Sequence, residues 1–315
     1  MILAAAKALK ARFNCPLFLG VMPAYRELAK ACRHVDDAFS DWESLKSASA
    51  PYPPEAVLGV DVSYYRFSVA PRHQVDAYLA FFNVEAPPHL KDIELRSDPR
   101  AEARAEEAIA AWPPLPAGKA RILVHPGSGD ANRTWPQARW EELASRLILA
   151  GHQVVVIGSR TTRNDRGVHE LAVAGLITIV DRLEPLATVA LMRRAHLLVC
   201  TDGGPVQLAG ATEIGIVGIY SVVAGANRLP FRHGKLGWGA RAVSPECAAH
   251  PCIHQLSDAA IKERIDRAIH GELASPFGEW CARPDRYHCM THEITVSMVL
   301  DACQHMAAER QTRIN

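Results

Sequence analysis

No run of apolar residues in this chain approaches the ~20 needed to span a bilayer, because Arg, His or Asp interrupts each one. The opening MILAAAKALKARF places its lysines after its apolar stretch, the reverse of a secretory signal, so a cytosolic protein is expected. Surplus charge is missing as well: 35 basic residues stand against 34 acidic ones, a net +1. A nucleic-acid binder would carry a basic excess on one face, so no nucleic-acid partner is expected. There is no Gly-x-Ser-x-Gly elbow, no H-E-x-x-H helix and no GK[ST] phosphate loop. Hydrolase and P-loop readings therefore have no local support.

What is present is the make-up of an ordinary globular protein, 49% hydrophobic and 22% charged. A length of 315 residues exceeds one typical core, and ~150 residues per domain gives two. The first stretch reads as an amphipathic helix with Ile2, Leu3, Ala6 and Leu9 on one face and Lys7 and Lys10 beside it. CPLFLGV (15–21) has the length of a strand, and a helix follows at about residues 25–32. AVLGVDVSYY reads as a further strand and HQVDAYLAFFNV (73–84) as a helix. Residues 96–111, charged and alanine-rich, predict a solvated helix that ends at the stiff connector WPPLPAG (112–118). The domain division is accordingly placed at 1–116 and 117–315.

From Ala120 onward, strongly apolar strands alternate with helices: RILV, a helix opened near Pro136 and closed at Gly151, QVVVIG, a helix through residues 163–175, LITIV, LATVALMRRA, HLLVCT, PVQLAGAT and IGIVGIYS. That rhythm predicts a doubly wound parallel sheet, an α/β fold whose ligands lie beyond the carboxyl ends of the strands. Two glycine turns fall at such ends. In HPGSGDANRTWP, Gly127 and Gly129 let backbone pass close to a ligand, Ser128 offers a hydroxyl and Arg133 a fixed charge suited to a diphosphate. In CTDGGPVQLAG, Asp202 closes the strand, Gly203 and Gly204 form the turn, and Gln207 would point back one helical turn later. Each turn also has a plain structural reading: glycines that relieve strain, and Asp202 as a helix cap. The first turn lacks the third glycine of a dinucleotide fingerprint. A nucleotide-sugar epimerase is further weakened by the absence of a Tyr-x-x-x-Lys pair.

HPGSGDANRTWPQARWEELASRL, LEPLATVALMRRAHLLVCTDGGPVQLAGA and the closing CMTHEITVSMVL together resemble glycosyltransferase family 9, the ADP-heptose:lipopolysaccharide heptosyltransferases. The resemblance is weaker before Pro116 than after it. It implies a GT-B fold, two Rossmann-like domains facing across a cleft, with the acceptor on the first and the donor on the second. It also implies inverting transfer of a sugar, heptose foremost, from a nucleotide diphosphate to a glycan, lipid-linked or protein acceptor, without a catalytic metal. Carried onto this chain, Ser128 and Arg133 would meet the diphosphate, with Arg133 holding the charge of the leaving group. Asp202 would meet sugar hydroxyls, Gly203 and Gly204 would give N–H groups to phosphate, and Leu183 would lie near the nucleobase. A cytoplasmic location, at most peripheral to the inner membrane face, follows from the same likeness, and oligomerisation stays open.

Two departures from the family pattern stand out. Gln207 replaces the histidine of the second turn and Gly203 replaces its Ser or Thr. In the family, a strand and a Gly-Asp turn carrying the presumed general base precede a helix like MILAAAKALKARF. Either the true start lies upstream of Met1, or the first domain lacks its first strand and that base, and the second case leaves a catalytically impaired, nucleotide-sugar-binding or scaffold relative as the alternative. Losing such a base costs ~100-fold to 10,000-fold.

Cysteines crowd the last quarter of the chain. Cys247, Cys252, Cys281 and Cys289 form two pairs, more widely spaced than the usual C-x2-C, that could hold a structural zinc or iron or remain four free thiols. Related autotransporter heptosyltransferases hold iron with such a cluster. Cys15, Cys32 and Cys200 are expected to be buried small residues, and Trp238, Trp280 and Tyr287 to pack or to stack on a sugar.

Overall fold

A computed structural model describes residues 2–53, 69, 71–160 and 170–314. The larger half is built on six parallel strands: β3 (Arg121–His125), β4 (Gln153–Val156), β5 (Ile177–Thr178), β6 (Leu197–Thr201), β7 (Gly215–Ile219) and, after the short antiparallel pair β8 (Phe231–Arg232) and β9 (Lys235–Leu236), β10 (Ala240–Val243), with helix α9 (Asp258–Ile269) following it. Their spatial order is β10-β7-β6-β3-β4-β5. The strands are apolar throughout because both faces are covered, and successive residues serve opposite cores. Ile122, Val124, Val154, Val199 and Val217 face α6 (Gln137–Leu149) and α10 (Val296–Ile314). Leu123, Val155, Leu198 and Ile216 face α5 (Pro99–Ala110), α7 (Pro185–Arg193) and α8 (Gly204–Ala209).

Helix α6 begins where Pro136 occupies the cap position and ends at Gly151, whose φ of +86° is the left-handed conformation that favours glycine. Its Trp140 meets Trp135 edge to face at 5.0 Å, both fully enclosed.

The smaller half comprises α1 (Ile2–Phe13), β1 (Phe18–Gly20), α2 (Arg26–Ala31), β2 (Asp37–Phe39), α3 (Trp42–Ser49) and α4 (Gln74–Phe81). Among the described residues, β1 and β2 pair in parallel only with each other. The expected strand AVLGVDVSYY and residues 163–169 of the expected helix lie outside the described residues, and residues 170–175, the remainder of that helix, are loop and turn.

Three expectations are corrected. In α1 the buried positions are Ala4, Ala5, Ala6, Ala8 and Leu9, with Ile2 and Leu3 only partly covered. Small alanines let the helix be enclosed on more than one side, and Lys7 and Lys10 reach out to Glu94 (2.5 Å) and Asp36 (2.8 Å). Helix α5, capped by Asp98 on the Ala101 N–H, is not merely solvated. Ala101 and Ala105, one turn apart, are buried against the core of the larger sheet, and Glu102 pairs with Arg193 and Arg194 at the end of α7. Cys15 is exposed, whereas Cys32 and Cys200 are buried.

One link between the halves has a pH signature. His73 caps α4: its Nδ1 accepts the Val75 N–H at 3.2 Å and its Nε2–H donates to the Leu229 carbonyl at 3.0 Å. That arrangement needs the neutral ring, and burial pushes its pKa down from 6.5 to about 4. The unfolded chain therefore takes up the proton first as pH falls. His73 should contribute stability that is full above pH 6.5 and is lost between pH 6.5 and about 4, up to roughly 3 kcal/mol. Denaturation curves across that window should show the decline, and His73→Asn, which keeps a capping oxygen, should flatten it. An unchanged slope would remove His73 as the source.

Candidate functional site

The chain leaves β3 toward β4 and β5 on one side, and leaves β6 toward β7 and β10 on the other. Between β3 and β6 the winding reverses, and a crevice opens at the carboxyl ends of these two strands. Both glycine turns open onto it. Residues 126–130 leave β3 and lead into a 3-10 turn at Ala131–Arg133, and residues 202–204 leave β6 and open α8.

Hydrogen bonds stitch the two turns together. Thr201 Oγ1 donates to the Gly127 carbonyl at 3.2 Å. Arg133 Nη1 donates to the Asp202 carbonyl at 3.0 Å and lies 3.5 Å from its carboxylate, while Nη2 donates to the Asp130 carboxylate. A second guanidinium, Arg228, brings Nε to 3.9 Å from Asp202 Oδ2 and is only 5% exposed. Two arginines and two aspartates thus form one compact, balanced charge cluster in the crevice.

Ser128 spends its hydroxyl on the turn itself, accepting the Asp130 N–H at 3.2 Å and donating to the Asp130 carbonyl. The glycines have a different logic. Gly127, Gly129, Gly203 and Gly204 all avoid positive φ. A Cβ on Gly129 or Gly204 would meet nothing within 4 Å, and one on Gly203 nothing closer than 3.7 Å. Neither backbone strain nor protein packing requires glycine at these three positions, and the space they leave lies beside main-chain N–H groups.

Gln207 does not reach back as anticipated: its amide N–H is committed to the Arg228 carbonyl at 2.7 Å. Leu183 is half-buried on the connector after β5, at the same end of the sheet and on the β4 side. Trp280, Trp238 and Tyr287 serve packing. Trp280 lies under the Arg264 guanidinium and donates to the Cys252 carbonyl, Trp238 meets the His233 ring, and Tyr287 donates to the Glu279 carbonyl.

Several contributors were not singled out by sequence. Asn132, 2% exposed, donates Nδ2 to the Phe277 and Trp280 carbonyls, and its N–H donates to the Gly278 carbonyl at 3.1 Å. A Cβ on Gly278 would collide with the Asp130 carboxylate, so the C-terminal segment seats directly on the first turn. Asp130 and Asn132 sit inside the quoted motif and could have been flagged there. Arg228 and Gly278 carry no local signature.

Burial pushes the Cys289 thiol up to about 12 and raises that of Cys252. Cys281 and Cys247 add to both shifts, which places the four thiols in one neighbourhood. The Tyr287 N–H approaches Cys281 Sγ at 3.5 Å and an Arg283 N–H approaches Cys247 Sγ at 3.9 Å. Among the described residues, however, no three His, Cys, Asp or Glu side chains stand together as a ligand set. Among the same residues, no helix is long and apolar enough to cross a membrane.

Residues 60–253, more than half of the chain, match the model of glycosyltransferase family 9 (heptosyltransferase). Among solved structures, a glycosyl transferase family 9 protein from Veillonella parvula DSM 2008 superposes with a TM-score of 0.66 at 14% identity, covering 98% of this chain and 94% of that one. The ADP-heptose LPS heptosyltransferase II of E. coli gives 0.62 at 15%, covering 99% and 96%. TibC, an iron-containing dodecameric glycosyltransferase of enterotoxigenic E. coli H10407, gives 0.58 at 16%, covering 96% and 73%. These likenesses establish the shared GT-B fold. No curated protein matches the chain by sequence.

The open space beside the glycines makes a separable prediction. Gly129→Ala and Gly204→Ala should leave folding intact or raise stability by roughly 0.5 kcal/mol. Both should weaken binding of any ligand lying against the turns, measured by titration of nucleotide diphosphates. Alanine variants that bind as the parent does would assign the glycines to the turn alone.

Proposed function

The chain belongs to glycosyltransferase family 9, and on that premise we propose that it transfers a sugar from a nucleotide diphosphate to a glycan, lipid-linked or protein acceptor with inversion at the anomeric carbon. The observation that carries this reading is the pairing of the two turns across the winding reversal, with Arg133 spanning from one to the other. In this reading residues 1–116 supply the acceptor side and residues 117–315 the donor side.

The donor's diphosphate lies over the glycine turns, where Arg133 offers a fork of N–H donors to phosphoryl oxygens. Asp202 accepts from sugar hydroxyls, and Leu183 borders the base. As the acceptor oxygen bonds to the anomeric carbon from the far face and gives up its proton to water, the bond to the diphosphate oxygen breaks and the nucleoside diphosphate leaves with the electron pair. Charge grows on that oxygen as the bond lengthens, so a guanidinium fixed beside it stabilises the transition state more than the ground state. Adenine as the base and heptose as the sugar are the favoured identities. The family model and the fold shared with an ADP-heptose-named enzyme support them.

Calorimetry with ADP-heptose, GDP-sugars and UDP-sugars tests the reading. ADP-heptose should bind, and Arg133→Ala should weaken it by roughly tenfold or more. Failure of all three donors to bind would overturn the proposal, and an indifferent Arg133→Ala would overturn the site.

A structural zinc or iron on Cys247, Cys252, Cys281 and Cys289 is a second part of the proposal. Four thiols in one region of the C-terminal segment, with N–H groups directed at two of the sulfurs, are a suitable donor set. Elemental analysis of the purified protein should find about one metal per chain, and a chelator should lower its melting temperature. Trace metal only would refute it.

A further inference from the structure

The loop after β7 is held on every side. Gly225 is pressed so closely that a Cβ there would collide with Ala242, and it accepts the N–H groups of both Arg228 (2.9 Å) and Leu229 (2.8 Å). From the larger half, Gln207 grips the Arg228 carbonyl at 2.7 Å, and from the smaller half, His73 grips the Leu229 carbonyl at 3.0 Å. The result of so much fixing is one direction: the buried Arg228 guanidinium faces the Asp202 carboxylate. Tyr220, on the strand end beside this loop, is fully buried with its hydroxyl in no hydrogen bond.

Asp202 therefore has two arginines, with different freedom. Arg133 is partly exposed and also pairs with Asp130, whereas Arg228 is enclosed. We propose that Arg228 is the positioning residue of the donor site: it retains Asp202 in place while Arg133 leaves that carboxylate for the diphosphate. Without Arg228, Arg133 would be the sole cation on Asp202, and every diphosphate would have to compete with a buried carboxylate for it. Arg228 thereby lends the site its affinity for the anion without needing to touch it. The inference rests on the glycosyltransferase reading above and names how that site frees its cation.

The test is a coupled set of titrations with ADP, and with GDP and UDP in parallel, on the full chain. Arg228→Met should weaken binding of the preferred nucleotide by roughly tenfold although Arg133 is intact. In an Asp202→Asn background the same change should cost less than about twofold, because the competitor for Arg133 has gone. Arg228→Lys should recover part of the loss. A role confined to folding would lower the melting temperature and cost as much in the Asp202→Asn background as outside it. Should Arg228→Met not fold, Gln207→Leu, which loosens the same loop, should weaken ADP binding only while Asp202 is ionisable. Arg228→Met binding like the parent, or an equal loss in both backgrounds, overturns the inference. If Arg133→Ala weakens binding in the same series, the glycosyltransferase reading survives that result. If the parent binds no nucleotide diphosphate, both fall together.

Discussion

The contact on which the rest of the site depends is the bridge from Arg133 to Asp202. It joins residues 69 positions apart that leave adjacent strands in the same direction. A parallel sheet whose winding reverses between β3 and β6 must leave a gap there, because the connections depart to opposite sides. Nothing in the strands fills that gap. The guanidinium spans it, and so sets the separation of the two glycine turns and the width of the crevice.

The bridge stands on the C-terminal third of the chain. Asn132 is locked to carbonyls at Phe277 and Trp280, Trp135 Nε1 donates to the Ile294 carbonyl at 2.9 Å, and Arg139 donates to carbonyls of the Cys289–Glu293 turn. That turn is a π-helix, whose irregular carbonyls need partners from outside it. Arg139 supplies several, and α10 then packs Val299, Cys303 and Met306 against the sheet. Ordering the first turn and docking the tail are thus one process.

How much was legible follows from the range of each interaction. Strands and helices of the larger half announce themselves because burial on both faces demands uninterrupted apolar runs, as in Leu197–Thr201 and Gly215–Ile219. Both turns were readable as strand-to-helix junctions because glycines follow directly on an apolar strand at each of them. Helix α5 was misjudged since its contact is made by Ala101 and Ala105, and alanines among charges leave a weak apolar period although they permit the closest approach. Gln207 was misdirected because its partner, the Arg228 carbonyl, lies 21 residues on in a loop without a motif. Gly278 matters through its close approach to Asp130 and its carbonyl's bond from Asn132, relations that exist in space alone.

Charge balance finally bears on what the crevice can hold. Arg133 and Arg228 are matched by Asp130 and Asp202, so the empty site attracts no single anion strongly through net charge. A neutral sugar cannot break the Arg133 pairings, since its hydroxyls offer weaker hydrogen bonds than the carboxylates do. A diphosphate carries more charge than either aspartate and presents two phosphoryl groups to one fork of donors, so it can displace them. In the proposed reading Asp202, once released, accepts from sugar hydroxyls. The balanced cluster therefore favours a ligand with both parts, anion and polyol joined, over either part alone, and a nucleotide sugar has that composition.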